Sequence, residues 1–360
     1  MDLVALEMIR SLQKLDTYND YVVAVGPGDD KCLECTANFK VVQLHCANYL
    51  LWEQLLLPRL VQQLDADLLH CTSNTAPFRC RVPLVLTLHD IIFMEKRMGN
   101  NKSLYQNLGR IYRRFVVPKI LRKATKIITV SHFEQNNIQH YYPELKNKVL
   151  TIYNGVSPQF KPITTFTVER LRQMEKGQHW FLLGNTDPKK NIKNTLKAYA
   201  YYLQHSSCKR KLLVADLTDN LLEDILRDLD LMSVREYIHV EKYIAHNVLA
   251  EMYTKAFAFL YPSLRESFGL PLLESMACGT PVVAADSSAI PEVAADSVVY
   301  VDPMDSLSIA NGMLLLENDP VLYQEKIARG LERSKCFTWM ATATRTLEVY
   351  KDMLRQKDGD

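Results

Sequence analysis

Two glutamates, Glu266 and Glu274, stand eight positions apart around a turn that reads SFGLP. The apolar run FAFLYP before them predicts a buried strand. Loops at the carboxyl ends of such strands are where open α/β sheets bind ligands. Pro271 suits the first turn of the following helix, because its missing N–H would have no partner there, and Gly279 can end that helix in the left-handed conformation. The pattern predicts a strand, a ligand-binding turn and a helix.

The turn has the chemistry of an anion site. Phe268, Gly269 and Leu270 would present N–H groups at a helix start, and Gly269 would let a phosphate approach the backbone. Glu274, in the first turn of the helix, would accept hydrogen bonds from a ribose diol, and Glu266 would meet hydroxyls at the far end of the ligand. Residue types alone leave a second interpretation open, in which Glu274 complements the helix dipole and Glu266 is solvated. The two glutamates cannot be assigned as the acid and nucleophile of a glycosidase, because that assignment needs the distance between their carboxyl groups in space.

The elements around this turn alternate between short β-branched runs and helical stretches, which is typical of parallel sheets with crossover helices. After residue 303 only helices are predicted. The predicted helices of the first half are 2–15, about 47–63, about 103–124 and about 132–141. The predicted strands are 20–25, 39–45, 66–71, 83–89, 126–131, 148–155, 179–184, 211–216, 238–243, 256–262, 280–286 and 297–302. The sequence therefore predicts an α/β protein with two Rossmann-like, doubly wound domains.

A linker is expected at VSPQFKPITTF (156–166), which has two prolines and little periodicity. The domains are accordingly predicted at 1–160 and 161–339. A doubly wound domain normally opens with a strand, whereas this sequence opens with a helical pattern. We therefore expect the first strand of the N-terminal domain to be missing, and we favour a natural start upstream over a fold that tolerates the loss.

Composition excludes several classes of protein. Hydrophobic residues make up 48% and charged residues 23%, as in a globular enzyme, and the formal charge of +2 argues against a nucleic-acid partner. No apolar run reaches the roughly 20 residues that span a bilayer, and the N-terminus does not read as a signal peptide. We expect a cytoplasmic protein with reduced cysteines. A zinc site at Cys32, Cys35, His45 and Cys46 is the less favoured alternative.

A basic stretch runs from Lys96 to Lys126, with ten Lys and Arg residues and no acid. Its apolar residues fall at helical spacing up to a break at Pro118, and the arginines lie off that stripe. Two interpretations stay open: an ordinary solvated face over a packed helix, or a surface for anionic lipid head groups or a lipid diphosphate. The apolar positions are Leu104, Leu108, Ile111 and Phe115, and the arginines are Arg110, Arg113 and Arg114.

The segment RESFGLPLLESMACGTPVV closely resembles the Glu-x7-Glu region of retaining family-four glycosyltransferases, which have the GT-B fold. The resemblance continues in family order through TLHDIIF (87–93), ITVSHF (128–133), IYNGV (152–156), FLLGNTDPKKN (181–191) and AIPEVAADSVVYVDP (289–303). It is similar in particular to mannosyl- and rhamnosyl-type members that assemble bacterial surface polysaccharides. The resemblance implies two domains facing across a cleft, with the last helix, at about 340–360, completing the N-terminal domain.

The resemblance also implies a role for each motif residue. Glu274 corresponds to the glutamate that binds the nucleotide ribose, and Glu266 to the one that faces the donor hexose. The backbone amides from Ser267 to Leu270 would bind the sugar and the pyrophosphate. Lys190, with Lys189 beside it, would steady the pyrophosphate.

Other positions match less completely. His89, next to Asp90, matches a histidine of the N-terminal cleft loop and is expected to contact the sugar, although a histidine after a buried strand is commonly structural. The family often has an arginine just after the glycine that corresponds to Gly184, and here Asn185 and Thr186 follow. Tyr243 and Ile244 are expected to flank the nucleotide base.

Together these residues imply a retaining glycosyltransferase that needs no metal or other cofactor. A hexose would move from a nucleotide sugar, such as a GDP-mannose-like donor, to a glycan or lipid-linked acceptor. The leaving phosphate would accept the proton of the acceptor hydroxyl, so Glu266 is not proposed as a nucleophile. A nucleotide-sugar-binding subunit without activity is the first alternative, and an epimerase of the same fold is the second. A peripheral location on the inner face of the plasma membrane, through 96–126, stays open.

Overall fold

The computed structural model describes residues 3–28, 32–95, 104–165, 177–184, 187–242 and 244–358; for 104–108 and 356–358 it describes the backbone alone. The chain divides into two units. The first comprises residues 1–155 and 338–360, and the second comprises residues 156–337. The first unit has two parallel sheets and the second has one, and each unit has its own hydrophobic core.

All twelve predicted strands are present with shorter bounds, most of all the strand predicted at 148–155. They are β1 (Tyr21–Val25), β2 (Phe39–Gln43), β3 (Leu69–Cys71), β4 (Leu84–Thr87), β5 (Lys126–Thr129), β6 (Val149–Thr151), β7 (His179–Leu183), β8 (Lys211–Ala215), β9 (Ile238–Glu241), β10 (Ala258–Tyr261), β11 (Val282–Ala285) and β12 (Val299–Val301). Every pair of neighbouring strands is parallel. The predicted α/β class with parallel sheets is confirmed.

The first unit has four longer helical segments before the boundary and one after it. They are α1 (Leu3–Leu15), α2 (Tyr49–Leu51, Trp52–Leu56 as a π-helix and Leu57–Gln63), α3 (Leu104–Lys123), α4 (His132–Tyr141) and α12 (Trp339–Asp358). The predicted break at Pro118 is wrong, because α3 continues through it to Lys123. Val117 and Ile120 on either side are fully buried, and their packing offsets both the missing N–H bond of the proline and the clash of its ring with the preceding turn.

The strands of the first unit form two sheets. The strands β1 and β2 pair with each other, and a second sheet has the order β3-β4-β5-β6. One face packs on α1 and α12 through a cluster that includes Met8, Leu12 and Tyr350. The opposite face packs on α2 and α3 through a cluster that includes Leu57 and Ile120. Both sheets contribute side chains to both clusters, so the same two helical layers cover them.

The second unit has one six-stranded sheet with the order β12-β11-β10-β7-β8-β9. The chain builds outward from β7 to β9, crosses to β10 on the other side of β7, and builds outward again to β12. The large apolar core around Trp180 and Tyr199 is fully buried. The helices are α5 (Ile192–His205), α6 (Asp219–Asp228), α7 (Leu249–Lys255), α8 (Leu270–Ala277), α9 (Ile290–Ala294), α10 (Ser306–Asn318) and α11 (Pro320–Ser334).

Candidate functional site

The candidate site lies where the strand order of the second unit reverses. Strands β7 and β10 are direct neighbours, although β8 and β9 separate them in sequence. The helices that follow them therefore pack on different halves of the sheet, and doubly wound sheets bind their ligands at such a point. Lys190 follows β7, and Glu266 follows β10.

The two loops are bonded to each other. After β7 the chain forms a 3-10 turn, Pro188–Lys190, and Asn191 takes the left-handed conformation with φ of 60°. The buried Asn191 amide donates to the carbonyls of Pro262 at 2.9 Å and Pro303 at 2.6 Å. The Leu264 N–H donates to the Lys189 carbonyl at 2.7 Å. These bonds fix where Lys190 lies relative to the turn after β10.

Lys190 and Glu266 form an ion pair. The Nζ of Lys190 donates to Oε1 of Glu266 at 2.8 Å, and the two side chains are 17% and 12% exposed. The same Nζ lies 5.4 Å from the centre of the Tyr261 ring. Burial raises the pKa of Tyr261 well above its ordinary value, and the charge of Glu266 raises it further. The predicted cation and the predicted sugar-facing carboxylate thus contact each other.

The backbone around Glu266 is held in place. Its N–H donates to the Ser288 hydroxyl at 2.9 Å, and its carbonyl accepts from Nη1 of Arg265 at 3.2 Å and from the Ala289 N–H at 3.3 Å. Arg265 is buried. Its guanidinium bonds to the backbone of Glu266, a contact that the sequence did not predict. Its position directly before Glu266 was the available signal.

The turn and helix form as predicted. Gly269 has φ of 105°, a left-handed value that favours glycine, and it caps α8, which has Pro271 in its first turn. Gly279 has φ of 72° just after the helix, as predicted. Phe268 is buried, with its ring 5.8 Å from that of Phe337, so its side chain serves packing. Ser267 and Leu270 are half-buried at the start of the helix.

Glu274 is one turn later than predicted. Helix α8 begins at Leu270 and has no acid in its first turn, so Glu274 lies in the second turn. Because the helix already begins at Leu270, Glu274 is its fifth residue. Glu274 is 5% exposed and lies 3.3 Å from Nε2 of His246 and 3.5 Å from the Tyr253 hydroxyl. Helical side chains tilt toward the N-terminus, so its carboxylate still leans toward the turn.

Three more residues line the carboxyl edge of the sheet. A Cβ on Gly184 would lie 2.8 Å from a methyl of Val214, so this glycine is required by close packing on β8. Asp216, after β8, accepts a hydrogen bond from the Ile244 N–H, after β9. Burial raises the pKa of Asp216, while that bond and the charge of Lys190 oppose the rise. The predictions for Asn185, Thr186 and Tyr243 lie outside the described residues.

His89 belongs to the first unit, after β4. Its N–H donates to Oδ1 of Asn74 at 2.6 Å, and its Nε2 lies 2.8 Å from the Thr72 carbonyl. Since a carbonyl only accepts, Nε2 carries the proton. His89 lines a cavity of about 20 Å³ together with His70 and Asn154, a volume that holds about one water. The histidine is therefore oriented by its neighbours, as a structural or a functional residue would be.

The described residues were also compared with the requirements of a metal site and of a membrane-spanning helix. In the described parts of the chain, no group of three His, Cys, Asp or Glu side chains is arranged to hold a metal ion. Cys32, Cys35 and Cys46 are free thiols. Nor does any described helix combine the length and apolar character needed to cross a membrane.

His246 and Arg265 are the residues that the sequence did not identify. His246 comes from the loop after β9, far from the motif, and no local pattern marks it. Its Nδ1 also lies 2.9 Å from the side-chain amide nitrogen of Gln159, and the centre of its ring lies 5.2 Å from that of Phe160. Glu274 is thus approached from another strand of the sheet, which only the fold could reveal.

Comparison with known proteins gives family matches to both parts of the chain. Residues 3–160 match the family model Glycosyltransferase Family 4, and residues 166–333 match Glycosyl transferases group 1. O-antigen chain mannosyltransferase B of Escherichia coli is 30% identical over 235 residues, covering 64% of this chain and 61% of the relative. O-antigen chain mannosyltransferase RfbU of Salmonella typhimurium is 28% identical, covering 59% and 57%. The chain thus spans about three fifths of the length of these relatives.

Solved structures resemble the fold over nearly the whole chain. Sucrose-phosphate synthase from Thermosynechococcus elongatus has a TM-score of 0.73 at 19% identity, covering 97% of this chain and 92% of its own. WaaG, a glycosyltransferase involved in lipopolysaccharide biosynthesis, has a TM-score of 0.71 at 16% identity, covering 96% and 94%. HepE of Anabaena, in complex with UDP and glucose, has a TM-score of 0.67 at 17% identity, covering 87% and 86%. At these identities the likeness concerns the fold.

Proposed function

Because the chain belongs to the family 4 glycosyltransferases of the GT-B fold, we propose that it transfers a hexose from a nucleotide sugar to a glycan or lipid-linked acceptor. The named mannosyltransferase relatives favour a mannosyl donor and a place in surface polysaccharide synthesis. The observation that carries the proposal is the set of Lys190, Glu266 and the Gly269 turn at the reversal point of the second sheet.

The donor would lie along the edge of the second sheet. Lys190 and the N–H groups of the turn would bind the diphosphate, which suits a helix N-terminus beside a cation. Glu274 would accept hydrogen bonds from the ribose hydroxyls, and Glu266 would meet the hexose. Ile244 would flank the base.

Charge balance explains why the ion pair matters for this role. A diphosphate brought to Lys190 competes with Glu266 for the same Nζ. When the amine turns to the phosphate, the carboxylate of Glu266 is released to accept hydrogen bonds from sugar hydroxyls. Binding of the donor would therefore replace the Lys190–Glu266 ion pair by two new contacts, one from Lys190 to the diphosphate and one from Glu266 to the sugar.

The chemistry that we propose follows from charge development. As the glycosidic bond breaks, the leaving diphosphate gains negative charge, and Lys190 with the turn amides stabilises it where it forms. The leaving phosphate takes the proton of the acceptor hydroxyl on the same face of the sugar, which gives retention without a protein nucleophile. No step requires a metal ion, so activity is expected to survive chelation.

The direct test is an assay of the purified chain with nucleotide sugars and a polysaccharide-repeat or lipid-linked acceptor, read by mass spectrometry. Release of nucleoside diphosphate with a hexose-extended product supports the proposal. Nuclear magnetic resonance of the new linkage tests retention, and an assay in EDTA tests metal independence. Binding of nucleotide sugar without hydrolysis or transfer would favour the binding-subunit alternative, and isomerised donor would favour an epimerase.

A finer proposal concerns α3, whose exposed face combines apolar and basic residues. Ile111 and Phe115 are 64% and 62% exposed, although apolar spacing alone had also allowed a packed stripe. The Nζ of Lys119 lies 3.6 Å from the centre of the Phe115 ring, and Arg114 is exposed between the two apolar residues. Residues 96–103, the rest of the predicted surface, lie outside the described residues.

This face suits the interface of an anionic bilayer. Apolar side chains enter the boundary between head groups and acyl chains, while lysine and arginine bind the phosphates around them. Flotation with vesicles that contain or lack anionic lipid tests it. Phe115→Ala is expected to lower the partition constant for the vesicles about tenfold, which corresponds to about 1.4 kcal/mol. Val321→Ala, at an exposed valine next to Gln324 and Glu325, is the control; equal binding by both variants would contradict the proposal.

A further inference from the structure

Tyr261, the last residue of β10, has a buried hydroxyl that lies beside the proposed diphosphate site. The side chain is 3% exposed, and its ring stacks on that of Phe259 with the centres 5.5 Å apart. In the described part of the chain, the hydroxyl has no partner at hydrogen-bonding geometry. A buried hydroxyl without a partner destabilises the folded protein, so its presence calls for a second state in which it is bonded.

The neighbours of this hydroxyl belong to the candidate site. A Cβ on Gly269 would lie 3.7 Å from the hydroxyl oxygen and 3.6 Å from Cε1 of the ring, so the phenol lies against the turn. The Nζ of Lys190 lies 5.4 Å from the centre of the ring. Burial raises the pKa of Tyr261 most, and the charge of Glu266 comes next, so this carboxylate lies near the hydroxyl.

The backbone of Glu266 is fixed by bonds that do not involve its carboxylate. Its N–H donates to the Ser288 hydroxyl at 2.9 Å, and its carbonyl accepts from Arg265 and from the Ala289 N–H. The carboxylate itself accepts from Nζ of Lys190 at 2.8 Å. A change of partner at the carboxylate therefore requires movement of the Glu266 side chain alone.

A diphosphate that binds Lys190 would leave this carboxylate in need of another donor. The Glu266 side chain is only 12% exposed, so water replaces the lost bond poorly, and a buried carboxylate without a donor is costly. A phenol can donate one hydrogen bond, and bonds to a carboxylate are stronger than those between neutral groups. Burial holds the pKa of Tyr261 well above its ordinary value, so the hydroxyl keeps the proton that it would donate.

We propose that Tyr261 is a positioning residue whose hydroxyl donates to the Glu266 carboxylate when a diphosphate takes Lys190. This change of partner rests on the proposed function, which brings a diphosphate to Lys190. It holds Glu266 as an anion at the sugar end of the site, and it lowers the free energy needed to separate the ion pair. The hydroxyl is then without a bond in the free protein and bonded in the complex.

Calorimetry with inorganic pyrophosphate, added to the full chain, tests the change of partner in the complex. Tyr261→Phe should weaken pyrophosphate binding about tenfold, because Glu266 then competes more strongly for Lys190. In a Glu266→Gln background the same change should weaken binding less than about twofold, since no carboxylate needs the hydroxyl. Unchanged binding by Tyr261→Phe would overturn the proposal. Equal losses in both backgrounds would also overturn it, because they would indicate a direct phosphate contact or a structural role.

Thermal unfolding tests the same change without a ligand, which separates this proposal from the proposed function. Tyr261→Phe alone should leave the thermal midpoint unchanged or raise it, because the hydroxyl has no bond to lose. In Lys190→Ala the hydroxyl should already bond to Glu266, so adding Tyr261→Phe should lower the midpoint by about 2–4 °C. Equal shifts in both backgrounds would overturn the proposal. This coupling together with a native chain that does not bind pyrophosphate would contradict the proposed function alone.

Tyr323→Phe is the matched control. The Tyr323 hydroxyl donates to the Phe257 carbonyl at 2.9 Å, just before the amino end of β10 and so at the opposite end of that strand from Tyr261. This variant should lower the thermal midpoint and leave pyrophosphate binding unchanged. A loss of binding as large as that of Tyr261→Phe would show that lost stability explains both, which would overturn the proposal.

Discussion

The two units differ at one position in otherwise similar strand layers. In the second unit, β7 fills the centre of a six-stranded sheet, and the loop that follows it carries Lys190. In the first unit, the corresponding centre is a cavity between β1 and β3. The ligand site of a doubly wound sheet depends on the strand beside the reversal point, because that strand supplies one of its two loops.

This difference matches the distribution of the candidate site residues, most of which lie in the second unit. The second unit joins a cation, two carboxylates and a glycine turn through bonds between the loops after β7 and β10. In the first unit, His89 follows β4 and is held by Asn74 and Thr72. Donor binding should therefore depend on the second unit, and the predictions below test that assignment in order of expected effect.

Substitution of Lys190 should have the largest effect. Lys190→Ala removes the cation proposed to stabilise the leaving diphosphate, and kcat/KM should fall about 10²–10³-fold, or about 2.7–4 kcal/mol. Steady-state assays measure it, with the thermal midpoint checked because Glu266 loses its partner. Lys189→Ala, one residue away in the same turn, should change kcat/KM less than about threefold. Equal losses in both variants would remove Lys190 from the proposed role.

Glu274→Gln should come next. A hydrogen bond to a charged group contributes about 1.5–3 kcal/mol, so the nucleotide should bind about tenfold to a hundredfold more weakly. Calorimetry with a nucleoside diphosphate and its 2′,3′-dideoxy form gives a sharp test. The native protein should prefer the ribose form, and the variant should lose that preference. A variant that still discriminates would show that Glu274 does not bind the ribose hydroxyls.

Much of this could be predicted from the sequence. The strands, the Gly269 turn and the Gly279 helix end were marked by local rules on glycine, proline and apolar runs. Local rules could not predict contacts between distant segments. The Lys190–Glu266 pair joins residues 76 positions apart, and His246 contacts Glu274 from the loop after another strand. Local pattern also could not show that Ile111 and Phe115 face outward, because apolar spacing identifies a stripe and not the side that it covers.

Stability should depend on pH through buried histidines in both units. Burial, with the charges of His239 and Lys255, lowers the pKa of His179 to about 4; burial, with His89, lowers that of His70 to about 3. The unfolded chain protonates near pH 6.5, so it binds more protons than the folded chain below that pH, and stability falls as pH falls. His179 alone should cost about 2 kcal/mol between pH 7.5 and 5.0.

Urea unfolding at the two pH values measures this, with His179→Phe as the variant. Neither ring nitrogen of His179 has a hydrogen-bond partner in the described structure, so phenylalanine should be tolerated. The variant should lose less stability on acidification than the native protein. An unchanged pH dependence would mean that His179 does not contribute to it.

His89→Ala should have the smallest of these effects. We expect turnover to fall about tenfold, or about 1.4 kcal/mol, if the ring contacts the donor sugar. His132→Ala, at an exposed histidine of the same unit, should leave turnover unchanged. Turnover of His89→Ala equal to that of the native protein would leave His89 with a structural role alone.

The most direct test of the central assignment is hydrogen-exchange mass spectrometry of the chain with and without a nucleoside diphosphate. The proposed donor site predicts slower exchange in 187–194 and 262–276, the segments that carry Lys190, Glu266 and Glu274. Segments of the first unit away from His89 should be unaffected. Exchange that stays unchanged in both segments at saturating nucleotide, or protection confined to the first unit, would contradict the assignment.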